Sequence, residues 1–310
     1  MKPVVGFFGT PDIASYCLKK LNEKYNVAFA VTAEDKPAGR RQQITMPPVK
    51  TAALESGIDV LQPVTLKDGA FMQTLKAYNA DIFVVVAYGK IIPADIFELP
   101  LLKTINLHPS MLPKYRGAAP IPWAIINGED ETGVTVQLIN ERLDAGDIVQ
   151  QEIIPLDNSI TTGELYERVL PLSADLLVRS IDLLASGGFK PVIQDESEAT
   201  YCKKIDRDTA HIDWTQSASA VHNLVRGLNP KPVAWTTFRD RNMKIWKTAL
   251  FSEDVSIRPG EILVYRKKRI LAGTGDGVIE ILSLQPETRK VMDNAAFING
   301  YHPSEGECFV

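Results

Sequence analysis

In Asp81-Ile82-Phe83-Val84-Val85-Val86-Ala87-Tyr88-Gly89 an aspartate opens an unbroken apolar run, Ile82 to Tyr88, that stops at a glycine. Its length and its content of β-branched and aromatic residues suit a strand covered on both faces, as in the centre of a parallel sheet. Working outward, VVGFFG (4–9), NVAFAVTA (26–33), TINLH (104–108) and GVTVQLI (133–139) have the same character. Between them, IASYCLKKLNEKY (13–25) and GAFMQTLKAYN (69–79) repeat apolar residues at helical spacing. Strand and helix alternate, so the expected fold of the first half is α/β, a doubly wound, Rossmann-like parallel sheet. Any ligand crevice then lies at the carboxyl ends of the strands.

GELYERVLPLSADLLVRSIDLLASGG (163–188) predicts one long helix closed by glycines, and the polar, aperiodic stretch after it predicts a linker. Beyond it, SASAVHNLVRGL (217–228) is helical in pattern. AWTTFRD (234–240), MKIWKTAL (243–250), GEILVYR (260–266), RILAGTG (269–275) and VIEILSL (278–284) are short strands punctuated by Gly and Asp, as in a smaller C-terminal β-barrel. The expected organisation is 1–189, a linker over 190–206, and 207–310.

A chain of 310 residues with a net charge of −4 has a core of ordinary size and no broad basic surface for coating nucleic acid nonspecifically. No apolar run approaches the ~20 residues that cross a bilayer. Cys17, Cys202 and Cys308 stand far apart, with no C-x-x-C spacing. A monomeric cytoplasmic protein without membrane contact is expected. His211, His222 and His302 have no ligand spacing, so no metal is expected. GTPDIA (9–14) and GTGDG (273–277) complete neither dinucleotide nor P-loop motifs.

Chemistry concentrates at 106–120, NLHPSMLPKYRGAAP, where a buried strand runs into a proline-bounded loop. Strand period puts Asn106 and His108 on one face. An amide and an imidazole at a strand end can stabilise an oxyanion and handle a proton; a histidine there is also compatible with a purely structural role. Leu143-Asp144-Ala145-Gly146-Asp147 follows the strand 133–139. Gly146 is expected to permit a tight turn that aims Asp144 back at the imidazole, although Asp in a turn often does no more than cap it.

Asn106, His108 and Asp144, with SMLPKYRGAAPI (110–121) between them, resemble the signature of the 10-formyltetrahydrofolate-dependent formyltransferases. GTPDIA, AYGKIIP (87–93), INGEDETGVT (126–135) and NPKPVAW (229–235) resemble further blocks of the tRNA-formylating members, so the likeness spans nearly the whole chain. It implies transfer of a formyl group from 10-formyltetrahydrofolate to an amine, with methionine esterified to initiator tRNA as the acceptor. Asn106 is then the oxyanion donor, His108 the proton handler and Asp144 its orienting partner. The reduced folate is expected on Ser110, Met111, Leu112 and Pro113 and beside Ala87 and Tyr88. Met111 stands where Leu is commoner, and Lys114 where Arg is.

The resemblance also implies a tRNA contact at the insertion Asp35-Lys36-Pro37-Ala38-Gly39-Arg40-Arg41, through Arg40 and Arg41. The C-terminal barrel has an oligonucleotide-binding (OB-like) counterpart in the family. Lys244, Lys247, Lys267 and Lys268 are expected to meet the tRNA backbone there, although a charge run such as 266–269 is also an ordinary solvated turn. A nucleotide-linked amino sugar or glycinamide ribonucleotide remains an alternative acceptor for the same chemistry. The basic insertion and the extra C-terminal domain distinguish the tRNA reading from those.

Overall fold

The computed structural model describes residues 2–38, 43–304 and 306–310. In chain order the elements are β1 (Val4–Gly9), α1 (Asp12–Lys24), β2 (Asn26–Val31), β3 (Lys36–Ala38), β4 (Gln43–Thr45), α2 (Pro48–Glu55), β5 (Asp59–Leu61), α3 (Gly69–Ala77), β6 (Ile82–Val86), α4 (Ala94–Phe97), β7 (Thr104–His108), β8 (Arg116–Gly117), α5 (Pro120–Ile126), β9 (Glu131–Leu138), β10 (Ile148–Pro155) and α6 (Thr162–Ala185). They continue with β11 (Tyr201–Cys202), α7 (Ala218–Gly227), β12 (Ala234–Phe238), β13 (Arg241–Leu250), β14 (Ile262–Tyr265), β15 (Arg269–Gly273), β16 (Val278–Pro286), β17 (Met292–Asp293) and α8 (Asn294–Tyr301). Among the described residues no helix is long and apolar enough to cross a membrane.

The chain divides into two compact units: 1–117, 133–154 and 167–201 form one, and 118–132, 155–166 and 202–310 the other. The first is built on a seven-stranded sheet of order β10-β9-β7-β6-β1-β2-β5. Pairings β1–β2, β1–β6, β2–β5 and β6–β7 are parallel, as the continuous apolar runs require. Strand order reverses between β1 and β6, which opens the crevice beyond Gly9 and Val86. Phe8, Phe29, Phe83 and Tyr88 pack edge to face or tilted beneath it, with ring centroids 5.4–6.1 Å apart.

The sheet is not parallel throughout. β9 pairs with β7 antiparallel. A parallel neighbour needs a crossover helix laid on the sheet, and the helix between these strands, α5, belongs to the second unit. The segment expected as a linker also contributes structure to the first unit. Val192 bridges Ile148, and Gln194 is only 5% exposed.

In the second unit the strands form one antiparallel sheet of order β12-β13-β16-β15-β14, with β17 on β16. Strands β12 and β14 stand at the ends of that path, and the C-terminal residues 307–310 bond to both: Thr237 and Val310 exchange backbone hydrogen bonds (2.8 and 3.0 Å), Ile262 N–H donates to the Glu307 carbonyl and Phe309 N–H to that of Gly260 (both 2.8 Å). Its core gathers Trp214, Val221, Val225, Phe238, Ile245, Ile279, Phe297 and Phe309. The α5 helix packs on α7 so closely that a Cβ on Gly227 would lie 2.6 Å from Ile126 Cγ1.

Arg226, 4% exposed, fastens three segments of this unit. Its guanidinium donates to the carbonyls of Asp157 (3.2 Å), Ile160 (3.2 Å) and Ile125 (3.5 Å) and to Asn223 Oδ1 (2.9 Å). Arg226→Ala strips donors from buried carbonyls and is expected to lower stability by about 3 kcal/mol. Denaturant unfolding measures this, and a loss below about 1 kcal/mol contradicts the role.

Candidate functional site

Asn106 and His108 alternate with apolar Ile105 and Leu107 along β7, so both project from one face. In the antiparallel pairing with β9, Asn106 faces Gln137 and His108 faces Thr135. Directly opposed residues share a face, which gives four polar side chains in a two-by-two block at the end of an otherwise apolar sheet. Asn106 makes no side-chain hydrogen bond among the described residues, leaving its carboxamide free to donate.

His108 is 5% exposed, and its Nε2 lies 2.8 Å from the carbonyl of Tyr115. A carbonyl only accepts, so Nε2 carries the hydrogen and Nδ1 is the nitrogen able to take up a proton. Nδ1 faces Asp144 Oδ2 at 3.7 Å, close enough to stabilise an imidazolium and too long for a hydrogen bond. The same Oδ2 accepts the backbone N–H of Gly117 at 2.9 Å, and Oδ1 accepts Gln137 Nε2 at 3.3 Å.

The turn that presents Asp144 works differently from its sequence expectation. Asp144 itself takes the left-handed conformation, at φ 49°. Gly146 is needed for close approach: a Cβ there would fall 1.7 Å from the Leu138 carbonyl oxygen. Tyr115, whose carbonyl holds His108, is also left-handed, at φ 60°. Each such residue costs about 1–3 kcal/mol and persists only under constraint from its surroundings.

That constraint is visible. The Thr135 hydroxyl donates to the Ser110 carbonyl (2.7 Å) and accepts Leu112 N–H (3.2 Å) and Gln151 Nε2 (2.9 Å). Gln151 also donates to the Leu112 carbonyl, and Ser110 Oγ to the Lys114 carbonyl. Met111 lies over Gly133, where a Cβ would meet its Sδ at 2.4 Å. Ser110–Pro113 is thus a rigid shelf beside the imidazole.

Behind the shelf, Arg116 is completely buried. It reaches both carboxylate oxygens of Glu196 (3.1 and 2.9 Å), Gln194 Oε1 (3.1 and 2.7 Å) and Tyr201 Oη (3.2 Å). The guanidinium of Arg116 and then that of Arg142 hold the Glu196 carboxyl down at about 2.

Of the other expected ligand residues, Ala87 is exposed at the end of β6 with φ 46°. Open space surrounds the next positive-φ position, Gly89. Tyr88 differs: its ring is 3% exposed in the aromatic cluster, its hydroxyl has no partner among the described residues, and burial pushes it up to about 12. Only its backbone faces the crevice region, through the carbonyl that accepts Thr10 Oγ1.

Arg40 and Arg41 lie outside the described residues. The segments flanking them, β3 and β4, form a two-stranded antiparallel ribbon. Asp35 anchors its base, accepting Lys50 Nζ at 2.7 Å and Gln62 Nε2 at 2.9 Å. In the second unit, Lys244 and Lys247 sit on β13, and Lys247 borders a cavity of about 460 Å³ with Trp246, His222 and Asn229. Lys267 and Lys268 are exposed in the β14–β15 turn. Strands β16 and β15 intervene, so the two lysine pairs do not form one cluster. Arg266 and Arg269 of the same run are engaged by Glu253 and Glu280.

Sequence reasoning missed Thr135, Gln137, Gln151, Arg116, Gln194 and Glu196. Thr135 and Gln137 left a signal, as two polar residues at strand spacing inside an apolar run. The others left none, because their partners are 16 to 85 residues away.

A family model described as formyl transferase matches residues 1–181, and one described as formyl transferase, C-terminal domain, matches 204–302. The chain is 42% identical over 295 residues to a methionyl-tRNA formyltransferase of Clostridium novyi (strain NT), covering 95% of this chain and 96% of the relative. A methionyl-tRNA formyltransferase of Clostridioides difficile (strain 630) matches at the same identity and coverage. Among solved structures, the sugar 3N-formyl transferase WlaRD aligns with a TM-score of 0.67 at 21% identity, covering 94% of this chain and 99% of that one. HypX from Aquifex aeolicus in complex with tetrahydrofolic acid aligns at 0.62 and 19%, covering 96% and 47%. At those identities the structural likeness is one of fold.

Two outcomes test this geometry. Gly146→Ala forces a methyl into a backbone carbonyl and is expected to cost about 1–3 kcal/mol in denaturant unfolding; a neutral substitution removes the close-approach argument. The Glu196 carboxyl lies below its unfolded value of about 4.3, so its stabilising contribution is present above that pH and lost as pH falls through about 2. Glu196→Gln is expected to flatten the fall in melting temperature across that window, and identical slopes would refute the assignment.

Proposed function

The chain belongs to the formyl transferase family, and on that premise we propose that it transfers the formyl group of 10-formyltetrahydrofolate to the amino group of methionyl initiator tRNA, giving the N-formylated aminoacyl-tRNA used to start translation. The observation that carries the acceptor is the 42% identity with methionyl-tRNA formyltransferases over 95% of the chain, both units included. The sugar-formylating structures share half that identity or slightly more.

The site supports the chemistry residue by residue. Asn106 offers its unengaged carboxamide N–H to the oxyanion that forms when the amine adds to the formyl carbon. His108 Nδ1 takes the proton shed by the amine, and Asp144 at 3.7 Å stabilises the resulting imidazolium. As the carbon–nitrogen bond to the folate breaks, the same proton passes to the departing folate nitrogen. The folate supplies an activated one-carbon acyl group. Ser110–Pro113, braced by Thr135 and Gln151, and the exposed backbone at Ala87 offer a shelf and an open strand end for a flat pterin. Tyr88 serves from below, as packing under that strand end.

For the tRNA, Arg40 and Arg41 of the insertion supply phosphate contacts, and Lys244, Lys247, Lys267 and Lys268 supply others from two places on the second unit. Such a substrate puts the enzyme in the cytoplasm, where it acts as a monomer.

Radiolabelled formyl transfer from 10-formyltetrahydrofolate tests the reading, with methionyl initiator tRNA beside an amino-sugar nucleotide. Formylated tRNA is expected. Asn106→Ala and His108→Ala should each retain the fold and lose about a hundredfold or more in turnover, near 3 kcal/mol of barrier. Labelled sugar with inert tRNA overturns the acceptor, and near-normal rates in both variants overturn the site.

A further inference from the structure

Arginine has five N–H donors and no acceptor, so any amide that meets a guanidinium must present oxygen to it. Arg116 Nε and Nη2 lie 3.1 and 2.7 Å from Gln194 Oε1. The nitrogen of Gln194 is thereby turned the other way. It lies 2.7 Å from the Gly146 carbonyl, 3.0 Å from the Asp144 carbonyl and 3.1 Å from Gln137 Oε1. Gly146 N–H donates to the same Gln137 oxygen at 3.1 Å, which fixes the second amide in the same sense. Gln137 Nε2 is therefore left pointing at Asp144 Oδ1, 3.3 Å away.

Amide orientations are ordinarily ambiguous. Here a side chain that can only donate, and a backbone N–H that can only donate, leave one consistent arrangement. Donors run in a single direction from the buried cation through two amides to the carboxylate. Each polarises the next, so the positive end of the chain rests on Asp144.

We infer that Gln137 and Gln194 are positioning residues for the transfer reaction: anchored on Arg116, they hold the Asp144 carboxyl group as an acceptor turned toward His108. The reaction named here is that of the proposed function, and the geometry is independent of it. His108 of β7 faces Asp144 directly; Glu141, Arg142 and Asp147 share its turn, and Arg116 of β8, at the far end of the amide chain, engages Glu196 and Tyr201 while Arg142 also engages Glu196.

The two ends of Gln137 separate a positioning role from a structural one. Its oxygen serves the fold, by accepting Gln194 and Gly146. Among the described residues its nitrogen serves only Asp144. Gln137→Glu keeps the acceptor and replaces the donor with a like charge; Gln137→Met removes both.

In the full-length protein, Gln137→Glu is expected to lower kcat about tenfold or more near pH 8 with the folate KM held within about twofold. The ratio to wild type is expected to recover toward about pH 6. A carboxyl beside Asp144 holds its proton more tightly than usual, and once protonated it can donate as the amide did. Gln137→Met is expected to lose kcat without that recovery. A Gln137→Glu enzyme equal to wild type at every pH, with Gln137→Met alone impaired, makes the residue structural and overturns the inference. Crystal structures of both variants near pH 8 decide the matter without substrate: the inference requires the Asp144 carboxylate to turn off His108, and an unmoved carboxylate in both overturns it. Wild-type protein inert toward tRNA would overturn the proposed acceptor and leave the inference to those two structures.

Discussion

Burying a guanidinium with no exposure at all is the constraint on which the site depends. Arg116 cannot shed its proton and cannot accept a hydrogen bond, so every neighbour must bring oxygen. Glu196 brings two carboxylate oxygens, Gln194 an amide oxygen and Tyr201 a phenolic one. Meeting that demand draws the stretch 194–201 onto the loop that follows β7. The same contacts close a ring around the Asp144 turn, since Gln194 also bonds the carbonyls of Asp144 and Gly146. Positive φ at Tyr115 and Asp144 is tolerated because the backbone on either side is tied down.

The sheet supplies the complementary constraint. A parallel core must be apolar on both faces, and Ile82–Val86 meets that requirement fully. The polar side chains of the site stand where the sheet changes character, at the antiparallel step from β7 to β9. There the register opposes Asn106 to Gln137 and His108 to Thr135. Gln137 donates to the Asp144 carboxylate that faces His108, and Thr135 ties down the Ser110–Pro113 shelf.

The second unit recruits pieces from far back in the chain. Helix α5, the loop 157–160 and α7 are joined through one buried side chain, Arg226, and through the absence of another at Gly227. Buried arginines thus do similar work in both units, by different means. Arg116 is neutralised by a carboxylate in direct contact, whereas Arg226 is hydrogen-bonded by carbonyls and one amide, with attraction to the Asp157 carboxylate opposing part of its desolvation.

Local pattern determined a great deal. Runs of Val, Ile and Phe separated by helical periodicity specified an α/β sheet, because strand and helix periods bury different residues. Strand spacing alone placed Asn106 and His108 on one face of β7; their proposed roles came from the resemblance of the surrounding motif. What only the tertiary structure decided is everything that depends on residues distant in sequence. The antiparallel β9 follows from where α5 packs, and the link between β12 and β14 in the second unit from a C-terminal stretch, 307–310, that has no strand pattern of its own. The apparent linker became a wall of the site because Arg116 needed acceptors, and a polar, aperiodic sequence looks the same whether water or a buried cation receives its hydrogen bonds.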